Sequence, residues 1–263
     1  MSNHFLSSGR FLTLLLVAVC GLLVNTAIAQ ENVSAEDVIK MHLKQLGGEE
    51  KLKSIKTVEQ QFVMVISGPG GDMEADCELL QDGNKFRMLM NLPGFGEIQQ
   101  GSDGKHFWTS NPAQGDRLMD KEETALAKEQ YSQPFPALDW LQDYDGQIEL
   151  KGKAEVDGTP CYKLLFEPST GTPITRYFTV EDGKMLRFDA TQKGMAGEVE
   201  ISVFLSNFKE VDGITLPFKQ DTEMEQAQAD MSMEVDSIKF NQEMTAERFQ
   251  LPAAIQKLVN EKK

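Results

Sequence analysis

The chain has 263 residues, with 41 acidic against 26 basic side chains and a formal net charge of −15. That balance argues against nucleic acid and anionic lipid surfaces as partners and favours basic or neutral ones. Beyond the N-terminal run no stretch is apolar enough to span a bilayer, so the processed protein is expected not to cross a membrane.

Residues 1–29 read as an export signal. Arg10 precedes an apolar run from Phe11 to Val24, broken only by Thr13 and Gly21, and Ala27-Ile28-Ala29 is a small-x-small cleavage signature. Cleavage is expected before Gln30, leaving 30–263 as one periplasmic domain. Cys20 leaves with the signal, since Val19 is not the small residue a lipid-modified cysteine requires. Cys77 and Cys161 remain. Oxidising surroundings would allow a bridge between them, worth about 4 kcal/mol for so long a loop. The alternative is two buried thiols facing different ways.

The first expected helix starts at Ser34, which caps it with Asp37 in a capping box. Val38, Ile39, Met41, Leu43 and Leu46 form its apolar stripe, and Gly47-Gly48 end it. A short helical turn follows in EEKLKSI. The period then changes to two. TVEQQFVMVIS, MEADCELLQ and KFRMLMNL alternate around GPGGD and DGN, and Phe86, Met88, Met90 and Leu92 share one face. The pattern resumes from QIELKGKAEV to MSMEVDSIKF, with Asp-Gly recurring in the turns, a strong hairpin signal. Ten or more strands with short links mean a large antiparallel meander. Residues 121–145 escape this period and read as two short helices split by Pro134 and Pro136. The C-terminus reads as a turn, a Pro-limited segment and a short helix.

Little of this supports catalysis. Beyond the signal only His42 and His106 remain, and no HExxH, paired-cysteine, EF-hand or G-x-S-x-G spacing occurs. No metal or cofactor is expected. SGPGGD is glycine-rich but joins two strands, whereas a phosphate cradle needs a helix start. A glycosidase-type carboxylate pair could hide among the many acids without a motif to mark it. The chain is instead rich in soft apolar residues, with 13 Met. Met88/Met90 and Met231/Met233 each share a strand face, and methionine suits adaptable binding surfaces.

The stretch KFRMLMNLPGFGEIQQGSDGKHFWTSNPAQGDRLM resembles the LolA-like family, the periplasmic carriers that sort outer-membrane lipoproteins. The matching residues are Phe86, Ser102-Asp103-Gly104-Lys105, Trp108 and Asn111-Pro112. The leading helix ending in Gly-Gly, VDGITLPFK and ERFQLP look like wider members of that superfamily. The resemblance implies a mainly β (α+β) fold: one large, bent, unclosed antiparallel sheet with helices plugging its concave face. It implies a non-enzymatic carrier of lipid or acylated lipoprotein, working with an envelope transport or signalling protein. An envelope lipid or stress sensor, or a protein-interaction scaffold of the same fold, is the alternative. On this reading Phe62, Phe86, Met88, Met90 and Trp108 line the cavity, and Trp140 and Leu141 belong to the helical lid. The chain departs from the family where an Arg-Pro latches that lid. Gln81-Asp82 stand there, and Arg87 faces the other side of its strand.

Overall fold

Ser34 sets the first helix as its sequence requires. Its Oγ accepts from the Asp37 N–H at 3.1 Å, and the Asp37 carboxylate accepts from the Ser34 N–H at 2.9 Å. The computed structural model describes residues 33–131, 133–194, 197–224 and 230–261. The export signal and its cleavage point lie outside the described residues. Helix α1 (Ala35–Leu46) buries Val38, Ile39, His42, Leu43 and Leu46, and α2 (Glu49–Ser54) buries Leu52. Gly47 holds φ +126°, and a Cβ there would lie 2.5 Å from the Gly213 carbonyl oxygen. Only glycine fits the close approach of α1 to the sheet at that point.

Thirteen strands are present among the described residues: β1 (Thr57–Gly68), β2 (Gly71–Asp82), β3 (Lys85–Leu92), β4 (Gly96–Ser102), β5 (Phe107–Asn111), β6 (Gly115–Leu118), β7 (Gly146–Val156), β8 (Thr159–Pro168), β9 (Ile174–Thr179), β10 (Met185–Gly194), β11 (Gly197–Val211), β12 (Ile214–Met224) and β13 (Asp230–Phe240). They form one antiparallel sheet ordered β6-β5-β4-β3-β2-β1-β13-β12-β11-β10-β9-β8-β7, which does not close on itself. Every neighbouring pair is consecutive in sequence except β1–β13, the seam that joins the two halves. This is the meander the alternating segments predict, with the expected mainly β, half-barrel character. Asp157-Gly158 and Asp212-Gly213 are two-residue turns with positive φ at both positions, 47° and 76°, and 50° and 78°. These are the hairpin turns that Asp-Gly favours.

Antiparallel strands send alternate connections to opposite ends of the sheet. The β2–β3, β4–β5, β7–β8, β9–β10 and β11–β12 connections share the end where α1 and α2 sit, the helix end. The β1–β2, β3–β4, β5–β6 and β8–β9 connections share the far end.

The edge strands β6 and β7 are joined by residues 119–145, which cross the concave face. Helix α3 (Lys121–Tyr131) forms the first part. The second expected helix reduces to a 3-10 turn at Pro136–Leu138. Pro134 and Pro136 supply no N–H, and the backbone tightens, with Asp139 and Trp140 donating to the Pro136 and Ala137 carbonyls. The C-terminal 3-10 turn at Ala246–Phe249 and helix α4 (Ala253–Glu261) lie on the other, convex side. Arg248 reaches Glu59 at 3.0 Å, Lys85 sits over the Phe249 ring, and α4 runs alongside β6.

Cys77 and Cys161 are both buried and free. No bridge forms because Cys77 points to the concave face of β2 and Cys161 to the convex face of β8, seven places away along the sheet order.

Candidate functional site: an apolar trough on the concave face

Strand register assigns each side chain a face. Phe62 lies opposite Cys77 and Val235, Cys77 opposite Met90, and Met64 opposite Ala75 and Met233. Leu79 faces Met88, and Gln81 faces Phe86. These residues therefore form one continuous concave surface. On β3, β2, β1, β13 and β12, with the exposed bulge residue Asp236 set aside, that surface carries no charged side chain. The convex face of the same strands holds Glu59, Asp72, Glu74, Asp76, Glu78, Lys85, Arg87, Glu234, Lys239, Lys219, Asp221 and Glu223. Period-two alternation has separated an uncharged, largely apolar face from an ionic one along five strands.

The helix-end part of the concave face is filled. Val38, Ile39, Leu43 and Leu46 of α1, Leu52, Phe135 and Ala137 pack with Tyr162, Leu164, Phe166, Phe178, Ile214 and Phe240. His42 stands at its centre, 4% exposed. Its Nδ1 lies 3.0 Å from the Gly183 carbonyl oxygen, its ring stacks on Trp140 at 5.7 Å and it meets Phe178 edge-on at 5.0 Å. Burial pushes the imidazole down to about 4, against the opposing effect of the Gly183 contact, so the ring is neutral at pH 7. The Arg176 guanidinium lies 4.8 Å from the Trp140 ring centre and 4.2 Å from that of Phe166. Trp140 and Leu141 thus belong to a plug packed into the concave face.

Helix α3 covers the concave side of β3 and β5 more lightly. Tyr131 stacks on Phe86 at 4.0 Å, and Ala127 and Phe107 complete a small buried group. Its two ends are pinned by polar bonds. Arg117 on β6 donates two parallel hydrogen bonds to the Glu123 carboxylate, 2.7 Å on each arm, and holds that carboxyl at about 2. Gln81 Nε2 donates to the Tyr131 carbonyl at 3.1 Å. Where the resemblance implies a latching arginine, Gln81 thus donates to the last residue of α3, and the arginine that holds α3 comes from β6. A pocket of about 200 Å³ lies between α3 and Gln100, Thr109 and Met119.

Toward the far end no helix of the described residues overlies the sheet. Phe62, Cys77, Phe218 and Val235 form a buried floor, with Met64, Met88, Met90, Ile98 and Met233 half-buried around them. Ile201, Val203 and Leu205, with Phe188, Ala190 and Met224, make a second apolar wall. Phe62, Met88 and Met90 therefore stand together in the trough, while Phe86 is under α3, 1% exposed.

Trp108 stands elsewhere. It pairs with Gly101 and Leu118, so it projects from the convex face, where its ring lies over Gly101. A Cβ on Gly101 would come within 2.9 Å of that ring. Phe107, its neighbour, is the β5 residue on the concave side. Parity also places Met64 and Phe218 on this face, beside Met233, whose shared strand face with Met231 is visible in the sequence. Arg117 had no signal, because its partner Glu123 lies on another element.

No family model matches the chain, and no curated protein matches it by sequence. Solved structures do match its shape. A LolA superfamily protein from Nitrosomonas europaea is 10% identical with a TM-score of 0.59, over 83% of this chain and 98% of that one. A DUF1329 family protein from Desulfovibrio piger is 14% identical with a TM-score of 0.58, over 82% and 97%. An outer-membrane lipoprotein-sorting protein domain from Vibrio parahaemolyticus is 9% identical with a TM-score of 0.58, over 82% and 97%. The chain has the LolA-like fold, an unclosed antiparallel sheet whose concave face carries helices.

Proposed function

We propose that the protein is an exported, non-enzymatic carrier that holds lipid or lipoprotein acyl chains in the concave trough, as in outer-membrane lipoprotein sorting. The observation that carries this reading is the segregation of charge: five adjacent strands present an apolar, methionine-rich concave face and an ionic convex one. An acyl chain laid on Phe62, Met64, Met88, Met90 and Met233 gains about 0.8 kcal/mol per buried CH₂ without polar partners. The thioethers adapt to its shape. Helix α3 is the movable cover, and the segment around Trp140 and Leu141 is the fixed stop at the helix end. The lipoprotein-sorting domain among the structural neighbours supports this choice of cargo. Removal of residues 1–29 would deliver the domain to the periplasm. Native mass spectrometry of protein purified from its own envelope is expected to find lipid bound. Protein that is always lipid-free, and takes up no fluorescent fatty acid, would sink the proposal.

A further inference from the structure

We propose that the far end of the sheet docks on a neutral, zwitterionic bilayer surface, with Phe95 and Met73 inserting between the headgroups. Phe95 is 49% exposed and Met73 53%, and they are the exposed large hydrophobic residues among those described. Singly such residues mean little. Their placement gives them meaning, because the β1–β2 and β3–β4 connections lie at the same end of the sheet.

The two ends differ in chemistry. The described far-end connections are Pro69-Gly70, Pro93-Gly94-Phe95, Pro112-Ala113-Gln114 and residues 169–173, Ser-Thr-Gly-Thr-Pro, with no charge among them. At the helix end, four of the five connections carry acids: Asp103, Asp157, Glu181 with Asp182, and Asp212. The fifth is flanked by Asp82 and Lys85. In a chain of net charge −15, four described connections without a charged residue, rich in proline and glycine and carrying a protruding Phe, make a surface fit for a headgroup layer. Acids close to the rim, among them Asp72, Glu97, Asp116 and Asp230, stand on the convex face and disfavour anionic lipid.

The rim is also continuous with the trough. Met73 lies opposite Ile66, and Ile66 opposite Met231, so the apolar surface runs from Met73 to Met64 and Phe62. An acyl chain could pass between bilayer and trough along this path without crossing water. This purpose rests on the carrier reading, whereas the docking itself is tested without it.

The test is flotation of the full processed chain with phosphatidylcholine vesicles. Wild-type protein is expected to float, and Phe95→Asp and Met73→Asp each to weaken binding by about tenfold or more, as expected for losing a large apolar anchor. Uptake of a monomeric fluorescent fatty acid should be unchanged in Phe95→Asp, and thermal melts should show that both variants fold. Phe95→Ser, which adds no charge, should show the same loss of flotation. Absence of wild-type flotation, flotation only with anionic vesicles, or variants that float as the wild type would each overturn the proposal. A photo-crosslinking residue at position 95 should label lipid in cells, and a protein adduct alone would overturn it too. Loss of fatty-acid uptake by the wild type would count against the carrier reading and leave docking standing.

Discussion

Arg117→Met should loosen α3 and leave the rest of the protein in place. Three of the contacts that hold the helix are the two-armed Arg117–Glu123 ion pair, the Gln81 hydrogen bond to the Tyr131 carbonyl, and the Tyr131 stack on Phe86. The substitution removes the first and spares the Asp120–Glu123 capping pair, in which each residue's N–H donates to the other's carboxylate at 2.9 Å. The two ionic side chains are 38% and 37% exposed, so solvent screens them and the pair cannot be valued as a buried one. Exposed pairs contribute about 0.2–1 kcal/mol, and the two-armed geometry puts this one near the top of that range. About 1 kcal/mol is a roughly fivefold shift toward the open lid. Hydrogen exchange read by mass spectrometry should therefore quicken about fivefold in residues 121–131 and stay unchanged in α1, residues 35–46. High salt should produce part of the same effect in the wild type, because at about 1 M the screening length is near 3 Å. Unchanged exchange in α3, or equal quickening in both helices, would refute the idea of a separately opening lid held by this pair.

The Glu123 carboxyl lies at about 2 rather than 4.5, so the clasp is complete above pH 4.5 and is lost as pH falls from there toward 2. Exchange of α3 should follow that window, and Glu123→Gln should remove the dependence. His42 acts in a separate window. Its folded value near 4 lies below the ordinary 6.5, so the unfolded chain takes the proton first. Stability should fall by up to about 3 kcal/mol as pH drops from 6.5 to 4, and denaturant titrations of His42→Leu should show that slope flattened. Gly183→Ala places a Cβ 2.7 Å from the Met41 carbonyl carbon at φ +76°. Backbone strain alone costs about 1–3 kcal/mol, and the melting temperature should fall well below that of Gly158→Ala, where the added Cβ meets nothing within 4 Å. Met90→Asp puts a carboxylate into the half-buried trough and should cut fatty-acid uptake by about tenfold or more, while thermal melts show the fold retained.

The strands were legible because alternation and Asp-Gly turns are local signals, and both survive into the structure nearly residue for residue. Phe86, Met88 and Met90 could be placed on one face for the same reason. The rule gave no guidance at Phe107-Trp108, where two adjacent aromatics offer either face an apolar side chain. The convex face is normally the wet one, but here Trp108 is buried on it, on the side where α4 lies beside β6. The sequence neighbours of Trp108 give no sign that α4, from the far end of the chain, will come to lie beside β6. The lid clasp was hidden in another way. Arg117 and Glu123 are ordinary surface residues until a turn brings strand and helix together.

The order of the strands gives residues 119–145 a mechanical part. β6 and β7 are the two free margins of the sheet, and this one segment ties them together across the mouth. On the carrier reading proposed above it would work as a drawstring. The 11 residues of α3 span about 16 Å as helix and up to about 36 Å when extended. Unwinding them would pay out about 20 Å of slack between the margins. A cargo too wide for the mouth could thus be admitted by melting one short, lightly packed helix, with no change in strand pairing.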